Sequence, residues 1–349
     1  MWKIAICGLG AAARQIHLPA YAGLDNLGVV GGFDPGIDKA DFAFPLYPSF
    51  EEMIDRAQPD IVAIVTPTAS HFELSLQALD AGCHVFCEKP FMSNMQEAQA
   101  IVKRAAEVGK QIVVNNQYRF MNIHEAAKNR IGTDEFGDLL FMSANQTFFV
   151  SDKTEDGWRG NDPQRTCKEF GIHVLDLARY FFDEDPVSIQ ARMPKPGRPD
   201  SPDYLDLITL EFSGDRVAHI LLDRLSRGPH RYLDIRLDGS EAIVETSFGG
   251  KIECHAGIKG GSRKPYLELD LSLGGRARLY HGDKYRKLAS DPLDVFANAT
   301  RKLMAQYVAA LENDTTPPCS GADNMRTLAL VYAAYESGAS RQPVSLQFD

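Results

Sequence analysis

In the first 120 positions apolar residues come in short continuous runs instead of alternating with polar ones: "WKIAIC" (2–7), "VVGGF" (29–33), "DIVAIV" (60–65), "HVFCE" (84–88) and "QIVVN" (111–115). Runs of that length read as strands buried on both faces. The segments between them carry a helical period. In "SHFELSLQALDAG" (70–82) Ser70 is placed to cap an amphipathic helix and Gly82 to stop it, and "NMQEAQAIVKRAAEVGK" (94–110) repeats the design. Strands alternating with helices predict right-handed βαβ crossovers, hence a doubly wound parallel sheet.

After residue 120 the rhythm changes. A helix near 123–131, the strand "LLFMSANQTFF", an irregular polar stretch (151–166) and the helix "KEFGIHVLDLARYF" (168–181) lead into "DLITLEF", "RVAHILLD", "RYLDIRLDG", "EAIVET" and "KIECHA". Turns such as "SGD" (213–215) and "DGS" (238–240) are too short for crossover helices, so these strands pair antiparallel. The pattern predicts two domains: residues 1–120, a Rossmann-type α/β domain, and residues 121–349, an α+β domain with a large, mostly antiparallel open sheet. "MPKPGRPDSPD" (193–203) is a surface loop inside the second, and two helices, about 293–312 and 321–337, close the chain.

Composition narrows the partners. A chain of 349 residues with 44% hydrophobic and 24% charged residues is an ordinary globular protein, and its formal charge of −10 argues against nucleic acid or an acidic membrane as ligand. The chain starts on a strand-like run without a basic leader, and no stretch approaches a membrane span, so a cytoplasmic protein acting on small molecules is expected. Six scattered cysteines without a C-x-x-C read as reduced thiols, with no metal site.

The chemistry begins at "ICGLGAAARQIH", which follows a strand and opens a helix. Gly8 permits the tight turn, Gly10 lets a pyrophosphate approach the backbone, and Ala13, at the third fingerprint position, permits close packing of helix on strand, with Ala12 expected beside the cofactor. The second strand ends at Asp34. A carboxylate there accepts hydrogen bonds from an adenosine ribose and repels a 2′-phosphate, favouring NAD over NADP; an aspartate opening an Asp-Pro-Gly turn needs no ligand at all. At the end of "VFCEKPF" (85–91), Glu88, Lys89 and Pro90 project from the carboxyl edge of the sheet, where ligands of such folds bind. On the later helix Glu169 and His173 lie four residues apart, the spacing of an acid/base pair and equally of a satisfied core pair.

Taken in order, "GLGAAARQIHLPA", "VTPTASHFELSLQALDAGCHVFCEKP", "NNQYRF", "GWRGNDP", "GIHVLDLARYF" and "GADNMRTLALVYAAYESGASRQPVSL" run over nearly the whole chain. This series resembles the glucose-fructose oxidoreductase / inositol dehydrogenase / MocA family. The resemblance implies an N-terminal NAD(P)-binding domain and a C-terminal domain whose open sheet often joins subunits, hence a homo-oligomer, dimer or tetramer. It also implies hydride transfer to or from a secondary alcohol or ketone of a sugar, sugar derivative or cyclitol. Lys89 then matches the lysine that hydrogen-bonds the reacting oxygen, and His173 the acid/base. Glu169 stands where family members carry an aspartate. Thr66, Thr68, His71, Glu88 and Asn116 fall along the dinucleotide, Trp158 and Arg159 match a Trp-Arg pair near cofactor and substrate, and Arg119 joins Lys89, Glu169 and His173 at the substrate. "DPQRTCKEF" departs from the family by lacking a glycine-rich stretch before this helix.

With Lys89 and the dinucleotide signature behind them, Glu169 and His173 read as catalytic, with Glu169 expected to orient His173 and raise its pKa. Asp176 reads as structural. A redox-assisted lyase or glycosidase is distinguished by product without net NADH, and a non-catalytic NAD-binding regulator by indifference to loss of Lys89.

Overall fold

In the computed structural model, the described residues are 1–37, 42–150, 162–197, 199–228, 231–258 and 265–348. Five parallel strands, β1 (Trp2–Cys7), β2 (Leu27–Phe33), β3 (Ile61–Ile64), β4 (His84–Cys87) and β5 (Ile112–Val114), stand in the order β2-β1-β3-β4-β5. Their apolar runs are buried because helices cover both faces: β3 is buried at all four positions and β5 at all three. The order reverses between β1 and β3, which opens a crevice at their carboxyl ends.

Helices α1 (Leu18–Ala22), α2 (Phe50–Ala57), α3 (His71–Asp80) and α4 (Met95–Glu107) make the crossovers. Their ends are set locally. Ser49 Oγ accepts the Glu52 N–H at 3.1 Å, and Asn94 Oδ1 accepts the Glu97 N–H at 2.8 Å while Glu97 reaches back to the Ser93 N–H, a reciprocal cap. Ser70 does not cap α3 as the sequence suggested. Its hydroxyl donates to Thr66 Oγ1 at 2.8 Å, because a short 3₁₀ turn, Thr68–Ser70, precedes the helix.

The second sheet has nine strands. Chain order runs α5 (Asn122–Lys128), β6 (Leu139–Thr147), α6 (Ile172–Phe182), β7 (Ser188–Arg192), β8 (Leu205–Glu211), β9 (Val217–Asp223), β10 (Arg231–Gly239), β11 (Ile243–Phe248), β12 (Lys251–Ile258), β13 (Pro265–Ser272), β14 (Gly275–His281) and β15 (Lys284–Asp291). Helices α7 (Val295–Glu312) and α8 (Gly321–Ser340) and the short β16 (Val344–Ser345) follow. Spatial order is β15-β14-β11-β10-β6-β9-β8-β7-β16, antiparallel except for β6 beside β9. The strand pattern legible in the sequence ends at "KIECHA" (251–256). The outer strands β14 and β15 escaped it because their faces alternate charged and apolar residues weakly, and β12 with β13 forms a separate two-stranded ribbon.

One face of the large sheet packs on helices and the other is open. Along β8, Asp206, Ile208 and Leu210 are buried while Leu207 and Glu211 are exposed. The closing helices return to the first sheet: the Tyr307 hydroxyl on α7 donates to the carbonyls of Val85 and Gln111, and Val114 N–H donates to Cys319 O. One apolar cluster therefore runs from Ile4 and Phe86 through Tyr307 to Leu237.

Candidate active site

Between the sheets lies a cleft of about 480 Å³ lined by Gly10, Ala11, Ala12, Thr66, Thr68, Glu88, Lys89, Gln117, Tyr118, Glu169, His173, Tyr232 and Phe296, with Ile16, Val65, Pro67 and Pro90 between them. Its floor is the carboxyl edge of β1, β3 and β4. Gly8 holds φ +91°, and a Cβ there would meet Val65 O at 2.4 Å, so only glycine fits. Above Gly10 a Cβ would find open space, which is room for a phosphate at the start of the helix. The loop is held from below by Asp34, whose two oxygens accept the Leu9 N–H and the Gly36 N–H, each at 2.8 Å. Asp34 thus makes its own turn and ties down the glycine loop, and each oxygen keeps a lone pair for a ribose hydroxyl.

Glu88 sits at the end of β4 in a buried network. Its Oε1 accepts from His17 Nε2 and Asn115 Nδ2, both at 2.7 Å, and its Oε2 accepts the Lys89 N–H at 3.1 Å. Burial opposes the charged form, yet the bonds from His17 and Asn115 with the Lys89 charge hold its pKa down at about 2. His17 Nδ1 faces the Tyr21 hydroxyl at 2.8 Å, so the ring links Glu88 to Tyr21.

Lys89 reaches across to the second domain, where its Nζ donates to the Glu169 carbonyl at 3.0 Å. That carbonyl belongs to a π-helical turn, Cys167–Gly171, in front of α6. The side chain of Glu169 turns to Arg165, at 3.6 Å, and not to His173. His173 lies flat on Tyr118, ring centres 3.9 Å apart and planes 5° from parallel. Its Nδ1 is buried with no hydrogen-bond partner among the described residues. Burial first and the Lys89 cation second push its pKa well below the usual histidine value, against a smaller opposite pull from Glu88. The expected rise caused by Glu169 is therefore corrected: the wider π turn breaks the simple four-residue spacing and leaves the carboxylate beside Arg165.

Other sequence-picked residues stand behind the cleft. Both ring nitrogens of His71 are engaged, Nδ1 with the carbonyls of Pro90 and Phe91 and Nε2 with Thr66 O at 2.9 Å, so it fastens two loops together. Asn116 donates to Asn324 Oδ1 at 2.6 Å, linking the end of β5 to α8. Arg119, expected at the substrate, is bound instead to both oxygens of Asp176 at 2.7 and 2.6 Å and to Asp323 at 3.0 Å. A buried arginine must be paired, and Asp176 supplies the fork-to-fork partner from the adjoining helix. Trp158 and Arg159 lie outside the described residues. Sequence reading missed Gln117 and Tyr118, although both stand in the quoted "NNQYRF", and it had no local signal for Tyr232 or Phe296, which arrive from β10 and α7.

A glycine loop at a switch point, a lysine at the neighbouring strand end and a histidine brought in by a second domain define a dinucleotide-dependent oxidoreductase. Residues 2–116 match the oxidoreductase family NAD-binding Rossmann model, and residues 124–245 match the GFO/IDH/MocA C-terminal domain. The chain belongs to the GFO/IDH/MocA family. It is similar to a D-apiose dehydrogenase of Paraburkholderia graminis, 25% identical with 99% of this chain and 90% of that one covered. A glucose-6-phosphate 3-dehydrogenase of Bacillus subtilis is 28% identical over 55% of this chain and 58% of its own. Among solved structures, an oxidoreductase from Agrobacterium radiobacter in complex with NAD+, L-tartaric acid and magnesium shares the fold, with a TM-score of 0.79, 19% identity and 99% and 98% of the two chains covered. Among the described residues no group of three or more His, Cys, Asp or Glu is placed to hold a metal, and no helix is long and apolar enough to cross a membrane.

Proposed function

We propose that the chain is an NAD-dependent dehydrogenase or reductase acting on a secondary alcohol or ketone of a sugar, sugar derivative or cyclitol. The observation that carries this reading is the meeting of Lys89 and His173 in the cleft that also holds the glycine loop. Bound there, the dinucleotide supplies a hydride acceptor or donor. Gly10, Ala11 and Ala12 cradle its phosphates, Asp34 its ribose, and Thr66 and Thr68 the opposite edge. Gln117 adds a polar group: its Oε1 is buried without a partner among the described residues.

Oxidation of an alcohol needs a base and a cation at one oxygen. His173 is held neutral by burial and by Lys89, so at neutral pH it is ready to take the hydroxyl proton. The Lys89 ammonium, steadied by the Glu169 carbonyl, stabilises the charge that develops on that oxygen. Glu169 then acts through its backbone carbonyl. Lys89→Ala should lower turnover by about 10²-fold while NADH binding and the thermal transition stay as in the wild type. NADH formation from a panel of sugars and cyclitols measures this, and unchanged kinetics would remove Lys89 from the reaction. Self-association through the open face of the nine-stranded sheet is part of the same proposal, since Leu207 there is 37% exposed with no helix over it.

A further inference from the structure

Strands β12 and β13 pair with each other alone, as a hairpin inserted between β11 and β14. Its root is closed by the Gly249 N–H donating to Gly274 O at 2.8 Å. Antiparallel register sets Cys254 opposite Leu269, Ala256 opposite Leu267 and Ile258 opposite Pro265, so these six residues share one face. All six are exposed: Ile258 by 70%, Leu267 by 74% and Leu269 by 69%. Glu253, His255, Glu268 and Asp270 stand at intervening positions of the sequence, with Gly257 and Tyr266. A lone two-stranded ribbon is marginal in water, and one that turns these six residues outward needs a cover.

We propose that this ribbon is an arm whose apolar face packs on a second copy of the chain. Area favours a copy over an unrelated partner. Ile258, Leu267 and Leu269 together expose roughly 400 Å² of a patch in the size range that marks contact sites. One arm laid on one partner would bury about twice that, short of the ~1,000 Å² that a specific interface needs. Two arms exchanged about a two-fold axis double it to ~1,600 Å², the size of a standard stable interface.

The inference rests on the reading that copies associate, and three proteins separate the two ideas. Sedimentation velocity over a range of concentrations compares the wild type, the arm variant Ile258→Ser/Leu267→Ser/Leu269→Ser and the sheet variant Leu207→Glu. The wild type should self-associate and the arm variant should dissociate with a constant raised at least 100-fold, while circular dichroism of the subunit is unchanged because the substituted side chains are exposed within it. Cys254 gives an independent reading, as the exposed cysteine on the apolar face: alkylation should be slow in the wild type and as fast as a free thiol in the arm variant. A wild type that stays monomeric overturns both ideas. An arm variant that associates like the wild type, or a freely alkylated Cys254 in the associated wild type, overturns the arm while leaving the sheet contact to the Leu207→Glu result.

Discussion

At the scale of single residues, His173 is tuned by two neighbouring charges of opposite sign. Lys89 favours the neutral ring and Glu88 the protonated one. Since oxidation uses the neutral ring, activity should rise with pH through the pKa of His173 and be lost below it. Lys89→Met removes the cation, raises that pKa and moves the acidic limb of kcat/KM to higher pH, beneath a lower plateau. Glu88→Gln moves the limb the other way. Glu169→Gln should leave the limb in place, because its carboxylate faces Arg165, and His173→Asn should abolish it. A limb that shifts with Glu169→Gln would return the glutamate to the role the sequence suggested. Asp34 gives a second test: NADH should bind at least about tenfold more tightly than NADPH, a difference of roughly 1.4 kcal/mol, by fluorescence titration. Equal affinities would leave Asp34 with its two backbone contacts alone.

At the scale of elements, the helix that carries Glu169 and His173 depends on a carboxylate far away in sequence. Asp203 Oδ1 accepts the N–H groups of Arg165 at 2.5 Å and Thr166 at 2.9 Å, and its Oδ2 accepts that of Cys167 at 3.1 Å and the Tyr335 hydroxyl at 2.8 Å. This cap is buried and fixes where the π turn starts. Burial first and neighbouring Asp203 second push the pKa of Asp206 well above the carboxylate range, with Arg224 opposing. Asp203→Ala would strip partners from three buried N–H groups, at a cost of at least about 3 kcal/mol. Urea unfolding should show that loss together with a fall in turnover, whereas NADH affinity, which rests on the other domain, should change little. The glycine loop has its own failure mode. Gly8→Ala combines a positive φ with a Cβ 2.4 Å from Val65 O, so it should weaken NADH binding by at least about tenfold through displacement of the loop.

At the scale of the whole molecule, two histidines are folded in as neutral rings. His124 is held down to about 4 by burial, with a hydrogen bond to Tyr118 O opposing, and burial likewise lowers His173. The folded pKa lies below the unfolded one in each case. Their contribution to stability is thus complete above about pH 6.5 and is lost as pH falls toward the folded values. Each ring that stays neutral adds a slope of about 1.4 kcal/mol per pH unit in that window. The melting temperature should be flat from pH 8 to about 7 and fall steeply from about 6.5 to 4, and His124→Gln should make the fall shallower. A transition as steep in His124→Gln as in the wild type would show that carboxylates alone govern acid unfolding.

The sequence by itself determined what depends on neighbours along the chain. Continuous apolar runs fixed the five-stranded parallel sheet, Gly8 and Gly10 with Asp34 fixed the dinucleotide loop, and "VFCEKPF" put Lys89 at the strand edge, because each is a local pattern with a local physical cause. Alternation in 205–256 was enough to foresee an open antiparallel sheet, but the charged strands β14 and β15 were invisible without their partners. Tertiary structure decided everything that requires an approach between distant segments. It set Tyr118 beneath His173, brought Tyr232 and Phe296 into the cleft, and paired Arg119 with Asp176 and Asp323. It also turned Glu169 toward Arg165, since a helical spacing places two residues on a shared face only when the helix is regular, and here a distant carboxylate at Asp203 holds the turn in another form.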